Sequence, residues 1–377
     1  MSKRIVIIGG GFAGLLTARN LARRCRSDEK VFLVDKKPRF LFTPWLVDVL
    51  AGDLKIEAIT HSINEIAKRC GFSFIQGTMK EAVRAEHRVI VETANGETSI
   101  GYDVLLLCQG ARTAFYGIPG TTTCCMPLKV EEDVERIHLA TQTLLSKGGG
   151  SVAVIGGGPT GVEAIFSLKR YAEKLTRENP AFNKVKLTYT LVQAAPQILP
   201  GLSTSLVHAV LTELKDAAIE ISVGDPVAQV EDHMIITNSG RKISSDITVW
   251  AAGIEANKVA IEPEPENKQG YLVVDNYMRL DDAIFVAGDT ASFGLKGATI
   301  PKMAQAAMQM SDVLTRNILS VLYGGDLKPF TIENKGFIIT LGTTAVASLF
   351  HRFTIKSPLF MLLRGIFYRA KFKQIVG

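Results

Sequence analysis

One glycine pattern occurs twice in this chain. Residues 4–18 read RIVIIGGGFAGLLTA, and residues 151–165 read SVAVIGGGPTGVEAI. In each copy a short β-branched run is followed by G-x-G-x-x-G and then by an apolar, helix-like segment. A single match would be a weak indication. Two copies, each after a strand and at the start of a helix, predict two dinucleotide-binding βαβ units.

The glycines of each copy have separate expected tasks. The first makes a tight turn, the second lets a pyrophosphate approach the backbone, and the third lets the helix pack closely on the strand. In that order they are Gly9, Gly11 and Gly14 in the first copy and Gly156, Gly158 and Gly161 in the second. The N-terminus of each helix would then offer free N–H groups to phosphates.

The residue that ends the second strand of each unit is expected to meet a ribose. In the first unit the apolar run 31–34 ends in Asp35, whose carboxylate can accept a ribose hydroxyl and would repel a 2′-phosphate. In the second unit the strand 190–192 ends in Gln193, which neither attracts nor repels a phosphate. No Arg or Lys follows before Pro200. We therefore favour NADH over NADPH.

Three further apolar strands end in small residues. They are followed by Gly110, by Gly253 and by the pair Gly288-Asp289. A cofactor could pass close to the backbone at such places, although an ordinary strand end has the same pattern. Asp289 is expected either to cap a solvated turn or to accept the ribityl hydroxyls of a flavin.

The positive charge is concentrated at the C-terminal end. The net charge is +6, and residues 334–377 contain no Asp or Glu. Their cations are Lys335, Arg352, Lys356, Arg364, Arg369, Lys371 and Lys373. A basic, apolar tail favours binding to an anionic membrane surface over binding to nucleic acid. The rest of the chain is nearly neutral and lacks the basic surface that nucleic-acid binding needs. Docking of the tail on the body or on a second subunit is the alternative.

This tail does not predict a clean amphipathic helix. On a helix Arg364 and Lys371 would share one side, whereas Arg369 and Lys373 would lie on another. Its longest apolar run, 359–363, is far too short to span a bilayer. The expectation of membrane association therefore rests on composition.

The five cysteines favour a reducing compartment. Their number is odd, no C-x-x-C occurs and none lies beyond position 125. The adjacent pair Cys124-Cys125 could be redox-active or bind metal, or could be two small residues in a connector. No histidine cluster accompanies the pair, and we predict no metal site.

The motifs together resemble a known class. In chain order GGGFAG, Asp35, LLLCQGA, GGGPTGVE, WAAGI and IFVAGD resemble the motifs of two-dinucleotide flavoprotein reductases. The segment PKMAQAAMQM at 301–310 resembles the P-x-x-A-Q-x-A-x-Q segment of type II NADH:quinone oxidoreductases. Lys335-Gly336 with the TLG at 340–342 resembles that family's KG…TLG stretch, and FTPWL at 42–46 resembles its F-x-P-L-L segment.

This resemblance implies an α/β fold with two Rossmann-like domains, the second inserted in the first. Residues 1–118 and 255–328 would bind FAD, residues 119–254 would bind NAD(P)H, and residues 329–377 would form a module for membrane association or dimerisation. The polar stretch 262–270 is expected to be a loop between the domains.

The resemblance also implies the site residues. Glu163 matches a family glutamate placed near the nicotinamide, and Gln305 and Gln309 match quinone-site glutamines. The two glutamines are four residues apart and so share one face of a helix. The implied cofactor contacts are Gly9, Gly11, Phe12, Ala13, Gly14, Asp35, Lys36, Pro44, Gly110, Gly156, Gly158, Gly161, Gln193, Gly253, Gly288, Asp289, Ala304 and Gln305.

The implied activity is hydride transfer from NADH to flavin and then two-electron transfer to a membrane quinone, without proton pumping. The implied setting is a homodimer attached peripherally to the cytoplasmic side of a membrane. Two alternatives remain: a soluble NAD(P)H-dependent flavin reductase with another acceptor, and an NADH-binding flavoprotein that acts as a redox sensor. A sulfide:quinone oxidoreductase is disfavoured because it needs a cysteine in the C-terminal half.

Overall fold

The computed structural model describes residues 2–262, 267–268, 270–293, 300–333, 336–349 and 353–377. Most of the predicted loop 262–270 and the tail cations Lys335 and Arg352 therefore lie outside the described residues. The α-helices within these ranges are α1 (Phe12–Ala22), α2 (Leu46–Leu50), α3 (Ile63–Cys70), α4 (Thr121–Cys124), α5 (Glu131–Ser146), α6 (Pro159–Glu178), α7 (Thr204–Asp216), α8 (Ala304–Tyr323) and α9 (Leu359–Val376).

The first glycine motif belongs to a five-stranded parallel sheet. Its strands, in spatial order, are β23 (Ile284–Val286), β9 (Val104–Leu107), β1 (Arg4–Ile8), β2 (Lys30–Asp35) and β5 (Ser73–Gln76). All of β9 and four of the five residues of β1 are buried. Such continuous apolar strands are typical of a parallel sheet with both faces covered.

The second motif belongs to a second parallel sheet of the same kind. Its strands, in spatial order, are β11 (Met126–Pro127), β18 (Ile247–Trp250), β12 (Gly149–Ile155), β13 (Lys186–Gln193) and β14 (Ile219–Val223). Its chain segment falls between β9 and β23 of the first sheet, so the second unit is inserted in the first. The predicted α/β class with two Rossmann-like units is confirmed.

Two antiparallel strands join the units, β10 (Ala111–Thr113) and β19 (Ile254–Ala256). Smaller sheets surround them. They contain β3 (Arg39–Leu41) and β4 (Thr60–Ser62); β6 (Thr78–Val83), β7 (Arg88–Thr93), β8 (Gly96–Gly101) and β20 (Ile261–Glu262); β15 (Val227–Glu231), β16 (Met234–Thr237) and β17 (Lys242–Ser244); β21 (Asn267–Lys268), β22 (Tyr271–Val274) and β24 (Ala291–Phe293); and β25 (Phe337–Leu341), β26 (Thr344–Leu349) and β27 (Phe353–Ser357).

Side chains of the second unit hold a turn of the first. This turn, residues 50–53, follows α2. His138 of α5 contacts the Leu50 carbonyl through Nε2 at 3.0 Å, and Lys174 of α6 donates to the Gly52 carbonyl at 2.7 Å. Arg170 of α6 pairs with Asp53 at 3.0 Å. We call this set of contacts the interdomain clamp.

The C-terminal segment docks on the body. Helix α9 follows the three-stranded sheet β25–β27 and places Tyr368 and Phe372 against Phe42 and Trp45, with ring centroids 5.6–6.0 Å apart. The opposite face of α9 exposes large apolar side chains, namely Leu359, Leu362, Leu363, Ile366 and Phe367. Apolar residues on both faces explain why no amphipathic pattern was visible in the sequence.

Two of the predicted membrane-facing cations are instead engaged within the protein. Arg364 is 3% exposed and pairs with Asp48, and Lys356 pairs with Glu213. Arg364 therefore lies against the body, in line with the alternative of a docked tail, because an acidic partner on α2 attracts the guanidinium inward. Among the described residues, no helix has the length and apolar character needed to cross a bilayer.

Candidate active site

The first glycine turn is shaped by close contacts that exclude side chains. Gly9 has φ +109°, and a Cβ there would lie 2.2 Å from the Cys108 carbonyl oxygen. A Cβ on Gly14 would lie 1.9 Å from the Gly9 oxygen. Gly11, the N-cap of α1, faces open space and has no side-chain cap. The helix N-terminus is therefore open to an anionic group.

The second turn repeats this geometry. Gly156 has φ +117°, and a Cβ there would meet the Ala251 oxygen at 2.4 Å, while one on Gly161 would meet the Gly156 oxygen at 1.7 Å. Gly158, the N-cap of α6, has nothing within 4 Å of its missing Cβ and no side-chain cap. Both units thus present an uncapped helix N-terminus at a strand-to-helix turn.

Asp35 and Gln193 occupy equivalent places in the two units. Asp35 Oδ2 accepts the Gly10 N–H at 2.5 Å, and Gln193 Oε1 accepts the Gly157 N–H at 2.9 Å. Each Asp35 oxygen accepts one protein N–H and keeps capacity for a hydroxyl donor. Gln193 keeps its Nε2 group, a neutral donor. The first unit is therefore acidic where a ribose would lie, and the second is neutral.

The turn at Gly288 brings three elements of the first unit together. Gly288, at φ +65°, donates its N–H to Met310 Sδ of α8 at 3.2 Å and lies 3.8 Å from the Ala13 methyl of α1, measured from its missing Cβ. Gly110 donates its N–H to Thr290 Oγ1 at 2.9 Å. Predicted cofactor residues from three distant segments therefore meet at one edge of the sheet.

A buried, unpartnered polar atom lies in this region. Gln109 Oε1 is enclosed and has no hydrogen-bond partner in the described parts of the chain. The Gln109 backbone is held by Asn257, which donates to its carbonyl at 2.7 Å. An enclosed amide oxygen calls for a donor. A sugar or ribityl hydroxyl would supply one, so the residues fit the FAD that the resemblance implies.

The side chain of Tyr116 packs against Gly253. Gly253 has φ +148°, and a Cβ there would lie 2.1 Å from the hydroxyl of Tyr116. Tyr116 is 64% exposed and adopts φ +54°, an uncommon conformation for a bulky side chain. Tyr116 was not among the residues predicted from the sequence. The small residue at Gly253 accommodates this tyrosine at the junction of the two units.

Glu163 lies where α6 meets β25. Its Oε1 accepts the Thr340 N–H at 2.9 Å and the Thr340 hydroxyl at 2.7 Å. Burial raises the pKa of Glu163, and the charge of Arg364 and the two Thr340 hydrogen bonds offset this only in part. Because Oε1 accepts both bonds, a proton held by this carboxyl would reside on Oε2.

Arg364 and Asp48 form a buried pair beside Glu163. The guanidinium donates to both Asp48 oxygens, at 2.9 and 2.8 Å, and to the Pro44 carbonyl at 3.2 Å. Burial opposes the charge, but the Asp48 hydrogen bonds and the negative charges of Glu163 and Asp48 outweigh it and raise the pKa of Arg364. The pair joins the C-terminal helix to the predicted flavin-side segment.

The two predicted quinone-site glutamines differ in their surroundings. Gln309 is engaged with the backbone of Glu333: its Nε2 donates to the carbonyl at 3.0 Å and its Oε1 accepts the N–H at 2.9 Å. The Gln305 amide has no hydrogen bond within the ranges that the structure describes. Gln305, the second residue of α8 after Ala304, is therefore the amide available to a ligand.

The other predicted residues have simple surroundings. Phe12 packs edge-on against Phe40 at 5.2 Å, and Lys36 is exposed. Cys125 is buried, and Cys124 is half-buried with its thiol 3.6 Å from Asp232. No group of metal-binding side chains is found among the described residues.

The Arg364–Asp48 pair beside Glu163 was not predicted from the sequence. Asp48 lies two residues beyond the FTPWL segment, and Arg364 is the only charged residue in the apolar run 358–368. A lone cation in such a run is a signal for a buried ion pair, because an unpaired charge would not be buried. Its partner could not be identified without the fold.

Solved structures share this architecture. NDH2 from Plasmodium falciparum, determined in complex with NADH, is 18% identical with a TM-score of 0.86, covering 100% of this chain and 98% of that one. The sulfide:quinone oxidoreductase from Aquifex aeolicus is 18% identical with a TM-score of 0.85, covering 99% and 91%. At this identity the likeness concerns the fold.

Curated relatives extend the similarity to sequence. The type II NADH:quinone oxidoreductase of Haemophilus influenzae is 29% identical over 95% of this chain and 89% of its own length. The protein of the same name from Staphylococcus aureus is 28% identical over 90% and 88%. The resemblance predicted from the motifs is thereby confirmed. The profile described as "Pyridine nucleotide-disulphide oxidoreductase" matches residues 3–311, and the chain belongs to this family.

Proposed function

We propose that this chain is a type II NADH:quinone oxidoreductase, which uses FAD to pass two electrons from NADH to a membrane quinone and pumps no protons. The observation that carries the proposal is the presence of two uncapped glycine turns, at Gly11 and Gly158, in a chain whose curated relatives bear that name over some nine-tenths of its length. When bound, FAD would supply the two-electron redox chemistry.

The two units would divide the binding work. Residues 1–118 and 255–328 would hold FAD, with its pyrophosphate at the N-terminus of α1 and its adenosine ribose at Asp35. Residues 119–254 would hold NADH at the N-terminus of α6, where Gln193 offers a neutral donor to the ribose. The C-terminal residues 329–377 would cover the acceptor side through Arg364 and Asp48.

Glu163 is proposed as the proton-holding group of the acceptor side. Reduction of a quinone by two electrons consumes two protons, and a carboxyl whose pKa is raised by burial can carry one of them near neutral pH. Its Oε1 is held by Thr340, which fixes the direction of Oε2. Gln305 would donate its amide N–H to a quinone carbonyl, while Gln309 would hold the segment at Glu333 in place.

The exposed apolar face of α9 supports peripheral attachment to a membrane, where a quinone would enter from the lipid; attachment at the cytoplasmic side stays a prediction. A test is flotation with anionic vesicles. Leu362→Glu should reduce vesicle binding severalfold, because Leu362 is 60% exposed on that face. Leu139→Glu is the control, since Leu139 is 65% exposed on α5. Equal binding by both variants would refute attachment through α9. The homodimer stays a prediction.

Anaerobic stopped-flow absorbance tests the main proposal. The purified, FAD-loaded protein should lose its flavin absorbance rapidly with NADH and recover it rapidly with a short-chain quinone. NADPH and sulfide are parallel reductants. Loss of absorbance without recovery by any quinone would reject the quinone acceptor and favour a redox sensor or another acceptor. Reduction by sulfide but not by NADH would reject the assignment of the second unit.

A further inference from the structure

A lysine lies beside the Gly288-Asp289 turn, just ahead of α8. Lys302 precedes the N-cap Met303, and its ammonium group donates to the Asp289 carbonyl at 3.4 Å and to the Ala291 carbonyl. The same ammonium lies 4.5 Å from the ring centroid of Tyr271. Two carbonyls and an aromatic face therefore fix its charge against the proposed flavin turn.

The N-terminus of the adjoining helix α8 is electropositive, like Lys302. Helix α8 has no side-chain cap, because Met303 offers no oxygen, and Ala306 in its first turn is buried. An uncapped helix N-terminus carries a partial positive charge and N–H groups that need an acceptor. Lys302 adds a full positive charge within the same few residues.

A second lysine, Lys129, belongs to the other unit and lies between β11 and α5. Burial lowers the pKa of both lysines, while the charge of Asp289 acts in the opposite direction on each. Asp289 therefore acts electrostatically on both lysines, one from each unit.

We propose that Lys302, assisted by Lys129, is an electrostatic residue of the flavin site that stabilises the reduced cofactor relative to the oxidised one. The proposal rests on the proposed FAD. Uptake of two electrons and one proton by a neutral flavin ring leaves one negative charge on it. A fixed cation nearby favours that product and raises the midpoint potential of the bound flavin.

The test is the midpoint potential of the FAD-loaded protein, measured by slow anaerobic reduction against a reference dye. In Lys302→Met the reduced-to-oxidised ratio at a given potential should fall at least about tenfold, a shift of roughly 30 mV to lower potential for a two-electron couple. Lys302→Arg, which keeps the charge, should stay near the wild type. Lys129→Met should shift in the same direction. Lys328→Met, an exposed lysine on the same unit, is the control.

A purely structural lysine would act differently. It would change the FAD dissociation constant equally in both oxidation states and leave the potential unmoved. An unchanged potential in Lys302→Met with bound FAD would therefore overturn the proposal. If Lys302→Met purifies without FAD, an unchanged potential in Lys129→Met overturns it and a lowered one supports it. A wild-type protein that binds no FAD would instead refute the proposed function.

Discussion

Removal of Arg364 should release the C-terminal helix. The side chains of Arg364 and Asp48 are only 3% and 18% exposed, and two hydrogen bonds of 2.9 and 2.8 Å join them. Arg364→Met preserves much of the apolar stem but leaves the Asp48 carboxylate buried near Glu163 without its cation. Breaking one side of such a pair costs about 3–5 kcal/mol. We expect the folded arrangement of α9 to be weakened by that amount.

Hydrogen–deuterium exchange of the α9 amides measures this weakening locally, which suits a multidomain chain that need not unfold in two states. A loss of about 3–5 kcal/mol corresponds to roughly a hundredfold to several thousandfold faster exchange. The double variant Arg364→Met/Asp48→Leu should recover most of the protection, because an apolar pair replaces a charge pair at little cost. Equal exchange rates in the single and double variants would refute the reasoning.

The other predictions concern the two units. Glu163→Gln keeps the Thr340 hydrogen bonds and should make the free energy of unfolding less dependent on pH. In the wild type the pKa of Glu163 is higher in the folded than in the unfolded state. The folded protein therefore loses stability as pH rises from the ordinary carboxyl pKa to the raised one. Urea midpoints across pH check this, and equal slopes would contradict it. Gly161→Ala should abolish reduction of the flavin by NADH while FAD stays bound, because a Cβ at this position would lie 1.7 Å from the Gly156 carbonyl oxygen. The control is Gly365→Ala, in an uncrowded helical position, which should leave stability unchanged or raise it by about 1 kcal/mol. Gln193→Glu should lower kcat/KM for NADPH at least about tenfold relative to NADH, since a carboxylate would repel the 2′-phosphate; an unchanged ratio of the two kcat/KM values would show that the phosphate lies elsewhere.

The parts predicted from sequence are those that depend on local spacing. The first strand, its glycine turn, the following helix and the acid Asp35 all lie within residues 4–35. Steric exclusion leaves only glycine at two motif positions of each turn, Gly9 and Gly14 in the first and Gly156 and Gly161 in the second. The surroundings of Gln309 and Arg364 depend on long-range contacts. Their partners, Glu333 and Asp48, are 24 and 316 residues away in the chain. Helical spacing alone places Gln309 beside Gln305 and does not predict that the Glu333 backbone binds the Gln309 amide.

Composition alone also could not show which cations of the tail pair with acids elsewhere in the fold. The tail was predicted to present its cations to a membrane because it lacks acids of its own. The fold instead supplies acids from elsewhere, Asp48 to Arg364 and Glu213 to Lys356. Within the described part of the tail, the feature that suits a lipid surface is the exposed apolar face of α9, which a net-charge argument could not identify.

The interdomain clamp bears on how the two nucleotide sites meet. Three side chains of α5 and α6 hold one turn, and a Cβ on its Gly52 would lie 3.0 Å from the ring of Tyr171. The approach of one unit to the other is thus set when the chain folds and does not wait for a ligand. We expect the nicotinamide to bind next to a flavin ring whose position is already fixed. Binding of NADH then orders little of the protein, because the entropy of positioning the two units was lost when the chain folded.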